Sequence, residues 1–222
     1  MNTSNTSRTV AAIILAAGSS SRMGAGRHKL LLPLAGQPVL AHVIEATLAS
    51  QARPIVVVLG HQASQVRTHI ATSTERPHIT IVENPAYLQG MSTSMRVGIR
   101  TLLASTQQGT IIAPDAALIL LGDQPFMTAR VLDLLIAAWQ ESGKHIIAPL
   151  YAGTRGNPVL FAADLFPELL EVTGDEGGRS IVERHRHEMA TIEVSDAMAS
   201  YDLDTWEAYQ QAVKTWETKQ NT

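Results

Sequence analysis

Unbroken apolar runs recur along the chain, and each is cut off by small or turn-forming residues. The clearest are residues 10–15, 55–59 and 117–121, the last two ending at Gly60 and Gly122. Runs of this length and abruptness predict strands buried on both faces. Between them, residues 39–49 (opened by Pro38), 62–70, 95–103 and 128–141 carry apolar residues at helical spacing. Shorter strands are predicted over 79–82, 145–149, 158–161 and 189–194, and short helices over 165–172 and from about 179 to 186. A last helix is predicted from Trp206 to about Lys214. Strand and helix alternating in this rhythm is the pattern of a mostly parallel sheet with crossover helices. The expected fold is therefore α/β: one Rossmann-like domain over residues 10–218, with a polar tail at 1–9 and another at 219–222.

Composition narrows the chemistry. With 45% hydrophobic and 17% charged residues among 222, the chain is globular and long enough to bury a sizeable core. A net charge of −3 argues against a nucleic-acid-binding surface, so an anionic substrate would have to be met by a local cluster of cations. The absence of cysteine excludes disulfides, thiolate metal sites and cysteine nucleophiles. Eight histidines show no HExxH spacing, which disfavours zinc. Residues 1–9 lack an apolar stretch, and no run nears the roughly twenty residues of a membrane helix. A cytoplasmic protein without membrane contact is the expectation.

The first strand leads into the chain's most informative loop, which runs from Ala16-Ala17-Gly18 through three serines to Arg22-Met23-Gly24 and on to Lys29. Small side chains let backbone N–H groups approach an anion closely, and two cations follow, a combination suited to a polyphosphate. The spacing is neither that of a Walker loop nor Gly-x-Gly-x-x-Gly, so a P-loop NTPase and a nicotinamide oxidoreductase are both disfavoured. Asp123 lies between Gly122 and Gln124-Pro125 at the carboxyl end of a central strand, where open α/β sheets bind ligands. It faces either that crevice or the start of the following helix, as a cap.

Leu15-Ala16-Ala17-Gly18, Arg22-Met23-Gly24 and Lys29-Leu30-Leu31 together resemble the signature of the MobA-like nucleotidyltransferases, and most of all the molybdenum cofactor cytidylyltransferases. Leu121 to Pro125 and Arg155-Gly156-Asn157-Pro158-Val159 match that subfamily's other motifs in order, and the similarity runs from about Val10 to about Tyr209. One departure is the segment from Gly24 to Lys29, which is longer than in many relatives.

The resemblance implies transfer of CMP from CTP to the phosphate of molybdopterin, with Mg²⁺ as cofactor and a molybdenum hydroxylase as the eventual recipient. It implies that Arg22, Lys29 and Asp123 are catalytic, and that Leu15, Ala16, Ala17, Gly18, Gly90 and Ser94 bind the nucleotide. Gly90 and Ser94 would face the pyrimidine, and Ala17 would disfavour a guanine, since guanylyltransferases generally carry Leu-Ala-Gly-Gly at this turn. Arg155, Asn157 and Arg179 would bind the acceptor, and Asp123 with Asp204 would hold the metal.

Residue chemistry offers competing roles. Ser92 or Ser94 suits the N-cap of a helix starting at Met95, the 174–179 stretch suits a turn and cap, and Asp204 or Thr205 suits the cap of the last helix. Guanylyl transfer, cytidylyl transfer to another phosphate, or cofactor delivery without turnover are the remaining functional alternatives.

Overall fold

The computed structural model describes residues 8–220 except 25 and 75, so most of the first polar tail and the last two residues of the second lie outside the described residues. The strands in chain order are β1 (Val10–Ala16), β2 (Pro33–Leu34), β3 (Gln37–Pro38), β4 (Ile55–Leu59), β5 (Ile79–Glu83), β6 (Ala116–Leu121), β7 (Ile146–Tyr151), β8 (Thr154–Arg155), β9 (Val159–Ala162) and β10 (Met189–Val194). The helices are α1 (Val39–Ala49), α2 (Ala63–His69), α3 (Ala71–Thr74), α4 (Met91–Gln107), α5 (Ala129–Ser142), α6 (Phe166–Glu171), α7 (Arg179–Arg184) and α8 (Trp206–Gln220).

Among the described residues, the main sheet has eight strands in the order β10-β7-β9-β6-β1-β4-β5, with β8 paired to β7. The β1–β4, β1–β6, β4–β5 and β10–β7 pairs are parallel, whereas β9 runs antiparallel to both β6 and β7. This is the expected α/β fold, a mostly parallel sheet flanked by helices. The chain steps outward from β1 to β4 and β5, then returns to the other side of β1 as β6. That reversal opens a crevice at the carboxyl ends of β1 and β6.

Both faces of β1 are buried because helices cover both. Ala12, Ile14 and Ala16 pack with α1 and α5 residues such as Leu40, Ile44 and Leu132. Ala11, Ile13 and Leu15 pack with Met95 and Ile99 of α4, and with residues of α6 and α7. The α4–β1 approach is close enough that a Cβ on Gly98 would sit 2.4 Å from Ile13 Cγ2. A third cluster joins Met23 of the first loop to Leu34, Phe126, Leu203 and Tyr209, so α8 braces that loop from behind. No described helix is long and apolar enough to cross a membrane.

Three helix boundaries differ from expectation by four residues or more, among them the far end of α4, at Gln107 instead of Leu103. Helix α4 begins at Met91, which places Ser92 and Ser94 inside its first turns, buried, while the N-cap position is taken by Gly90. The cap is supplied from a distance: Asp175 Oδ1 accepts Met91 N–H at 3.0 Å, and the Gly174 carbonyl accepts Ser92 N–H at 3.1 Å. Helix α8 continues beyond Lys214 to Gln220, so residues 219 and 220, assigned to the tail on sequence grounds, are helical. Its last turn is held where Lys219 pairs with Asp196 at 3.2 Å and lies over the Phe126 ring.

Candidate active site

The loop after β1 is built to present its cations. Ser20 takes a left-handed conformation (φ 57°), and its hydroxyl accepts Lys29 N–H at 3.1 Å, closing the long segment between Gly24 and Lys29. Buried Met23 and Leu30 anchor the turns that carry Arg22 and Lys29. Arg27 has a different job: its guanidinium lies 4.1 Å from the Trp206 ring centroid and donates to the Met23 carbonyl, which fixes the loop to α8. His28 is buried, with Nε2 against the His61 carbonyl at 3.1 Å, and burial holds its pKa below the usual imidazole range.

Asp123 reaches the same place from β6. The Gly122 N–H donates to the Leu15 carbonyl at 2.9 Å, and the Asp123 carbonyl accepts Leu203 N–H at 3.1 Å. Through the second bond the segment bearing Asp202 and Asp204 is drawn alongside. Lys29 Nζ donates both to Asp123 Oδ2 and to Asp204 Oδ1, the latter at 2.8 Å, and Arg22 pairs with Asp204 Oδ2 at 3.1 Å. Burial alone would lower the Lys29 pKa, but the two carboxylates overcome it and raise it. Burial likewise pushes Asp204 up, and Lys29 and Arg22 together pull it below the usual carboxylate range.

These contacts decide between the roles left open by sequence. Thr128 caps α5, its side chain accepting from Val131 N–H, and the Thr205 hydroxyl accepts Ala208 N–H at 3.2 Å at the start of α8. Asp123 and Asp204 are thus both spent on the cation cluster.

Two adjoining cavities open here. One, of about 560 Å³, is lined by Leu15 to Gly18, Arg22, Lys29, Gly90, Ser94, Asp123 and Asp204, and by Tyr87 and Leu88. The other, of about 460 Å³, is lined by Arg155, Asn157 and Arg179 around an apolar floor that includes Met95, Ile119 and Phe161. Leu15, Met91, Leu121 and Asp175 border both. In the first cavity Ala17 is buried, but its methyl packs against the bare face of Gly60, where a Cβ would approach within 2.7 Å. Its bulk therefore sets the β1–β4 corner as well as the cavity wall. In the second, Arg155 is held by Glu183 at 3.1 Å, and the Asn157 carbonyl accepts the Tyr151 hydroxyl at 2.8 Å. Arg179 makes no ion pair among the described residues.

Three residues of this site escaped the sequence reading. Asn84, 2% exposed, donates through Nδ2 to Thr93 Oγ1 at 2.7 Å and to Ser94 Oγ at 2.9 Å, leaving the Ser94 O–H free to donate into the cavity. Its signal was the Asn-Pro pair that ends β5. Asp175 joins the two cavities, as described. Asp202 is exposed as a residue, but its carboxylate turns inward and accepts from Gln124 Nε2 at 2.8 Å. Burial and the charge of Asp123 push its pKa up to about 6 from 3.8. Folding then retains a proton that the unfolded chain gives up from pH 3.8 upward, so this group's contribution is fully present below pH 3.8 and is lost as the pH rises through about 6. Asp202→Asn keeps the acceptor for Gln124 and removes the charge. It is expected to raise the Tm of metal-free protein by about 1–3 °C at pH 7.5, the scale of a sub-kilocalorie change in a domain of this size. The gain should vanish near pH 4, and thermal unfolding at the two pH values checks it.

The family profile of the MobA-like NTP transferase domain matches residues 12–189. The chain belongs to this family. Among relatives of this MobA-like chain, the molybdenum cofactor cytidylyltransferase of Escherichia coli is 26% identical over 87% of this chain and 90% of its own length. The purine catabolism protein PucB of Bacillus subtilis is 28% identical over 89% of this chain and 92% of its own. The bifunctional protein GlmU of Dinoroseobacter shibae is 38% identical over 66% of this chain, which spans only 30% of that protein. Among solved structures, Rv0371c of Mycobacterium tuberculosis superposes with a TM-score of 0.76 at 26% identity, covering 93% of this chain and 98% of that one.

Proposed function

We propose that this MobA-like chain transfers CMP from CTP to the phosphate of molybdopterin and releases pyrophosphate. The observation that carries the reading is the convergence of Arg22, Lys29, Asp123 and Asp204 in the wall of a nucleotide-sized cavity, beside a second cavity bearing two arginines. A nucleoside triphosphate has an anionic end and a planar end. The first cavity offers cations and backbone donors for one, and Tyr87, Gly90 and Ser94 for the other.

Both reactants are anions, so the protein must offset their repulsion and hold them in line; no covalent nucleophile is required. Arg22 and Lys29 would steady the charge that grows toward the leaving pyrophosphate, and Arg155 and Arg179 would orient the acceptor phosphate. Among the described residues no group of three or more histidines and carboxylates gathers as a metal cage. Asp123 and Asp204 nevertheless aim two hard oxygens at one point, which fits Mg²⁺, an ion commonly held by one or two carboxylates plus substrate phosphates. In that position Mg²⁺ would supply Lewis-acid charge neutralisation on the triphosphate. Cytoplasmic location and delivery to a molybdenum hydroxylase belong to the same proposal.

The similar identity to PucB favours one second reading, the same transfer onto a different acceptor. The test is a thermal-shift comparison of CTP, GTP, ATP and UTP with Mg²⁺, followed by pyrophosphate release with molybdopterin present. At a hundred times its Kd a ligand of the native state adds about 2.7 kcal/mol, so the preferred base should raise Tm by several degrees. CTP is expected to give the largest shift. A larger shift with GTP overturns the cytidylyl reading, and CTP binding without pyrophosphate release leaves a carrier.

A further inference from the structure

Lys29 stands where the proposed metal site converges. Its ammonium donates to Asp123 Oδ2 and, at 2.8 Å, to Asp204 Oδ1, while Arg22 takes the other Asp204 oxygen at 3.1 Å. The Lys29 and Asp123 side chains are only 14% and 11% exposed, so water offers them little alternative. The carboxylates arrive from separate segments, tied together by the Asp123 carbonyl to Leu203 N–H bond, and would repel each other without a cation between them. Without ligand, that cation is the protein's own.

We infer that Lys29 is a built-in counter-ion which holds the Asp123–Asp204 pair until a metal-bound nucleotide displaces it, the ammonium moving to the phosphates as the divalent ion takes the carboxylates. The inference rests on the nucleotide reading above and goes beyond it in fixing how the two ligands depend on each other. A divalent cation arriving alone would have to sit beside a fixed ammonium or make it give up both of its carboxylate bonds, with only Asp175 and Asp202 of the cavity wall left to face it, and both are costly. A triphosphate removes that obstacle, because it gives Lys29 and Arg22 new anionic partners in the same step. Metal and nucleotide are therefore coupled through Lys29, and the coupling is reciprocal. The anchoring of Leu30 in the core and the Ser20 bond to Lys29 N–H keep the lysine backbone in place, so the exchange needs only side-chain rotation.

The experiment measures Mn²⁺ binding, by loss of the free-ion electron paramagnetic resonance signal, to nucleotide-free protein. Wild type is compared with Lys29→Met, which keeps the stem and drops the charge, and with Lys29→Gln should the first variant fail a circular-dichroism check of folding. The variant is expected to bind Mn²⁺ alone at least about tenfold more tightly than wild type, as removal of a competing buried cation requires. Adding Asp123→Asn to Lys29→Met should abolish the gain. Equal Mn²⁺ affinity for wild type and the lysine variant overturns the exchange. The nucleotide reading is scored separately by the thermal shift with CTP and Mg²⁺ on wild type. A normal CTP shift with no lysine effect on Mn²⁺ sinks only the exchange, and a lysine effect with no CTP shift sinks only the choice of nucleotide.

Discussion

Asp123→Asn is expected to lower kcat for pyrophosphate release by at least about a hundredfold, with the fold retained. Asparagine keeps the shape of the side chain but removes the charge that faces Lys29 and that the metal reading requires. Losing one preorganised electrostatic group of this kind typically costs about 10²–10³ in kcat. The stability cost should be smaller than for an isolated buried ion pair, since Lys29 keeps Asp204 as a partner at 2.8 Å. Relief of the repulsion that raises Asp202 works in the same direction. The Tm should therefore fall by only a few degrees while turnover collapses. Steady-state assays at saturating Mg²⁺, beside circular dichroism, check both halves. Near-normal turnover would return Asp123 to a structural role.

The parts of this site that were legible in the sequence are those whose signals are local. The β1 run, the small residues after it, and Gly122-Asp123 at the end of β6 each declare themselves within a few positions, and the parallel-sheet rule places both loops at one crevice. What stayed hidden depends on contacts between distant segments. Helix α4 starts four residues before the Met95 that helical spacing predicts, because the groups that satisfy its first amides come from Gly174 and Asp175. The last turn of α8 depends on Asp196 and Phe126, and its own composition is too polar to announce it.

Strand direction was hidden for a related reason. Hydrophobic periodicity gives the existence of β9 but says nothing of its insertion, antiparallel, between β6 and β7. Arg155, on β8 where it pairs with β7, and Asn157, in the link from β8 to β9, line the second cavity. Asp175 and Asp202 act by bonding to residues far along the chain, so no spacing rule selects them, while Asn84 bonds Thr93 and Ser94 across the nearby loop that leads into α4. Asp204 could be recognised as acidic and well placed, but whether it or Thr205 capped α8 was settled only by seeing Lys29 arrive between the two aspartates.

The two arginines of the second cavity should separate donor from acceptor, and unequally. Arg179 has no carboxylate partner among the described residues, so its charge is wholly available to an incoming phosphate. Arg155 is already held by Glu183 at 3.1 Å and must share or exchange that partner. A hydrogen bond to a charged group is worth about 1.5–3 kcal/mol, or roughly ten- to a hundredfold in affinity. Arg179→Ala is expected to raise the KM for molybdopterin across that range, and Arg155→Ala to raise it toward the lower end. Glu183→Gln should leave the acceptor KM unchanged or lower it, by freeing Arg155. All three variants should keep the wild-type Kd for CTP, because the nucleotide's phosphates are assigned to Arg22 and Lys29 in the neighbouring cavity. Acceptor kinetics and CTP calorimetry on the same preparations decide it. An Arg155→Ala or Arg179→Ala protein that no longer binds CTP in the absence of acceptor would show that the triphosphate reaches across Met91 and Asp175 into the second cavity, and the division between the two cavities would have to be redrawn.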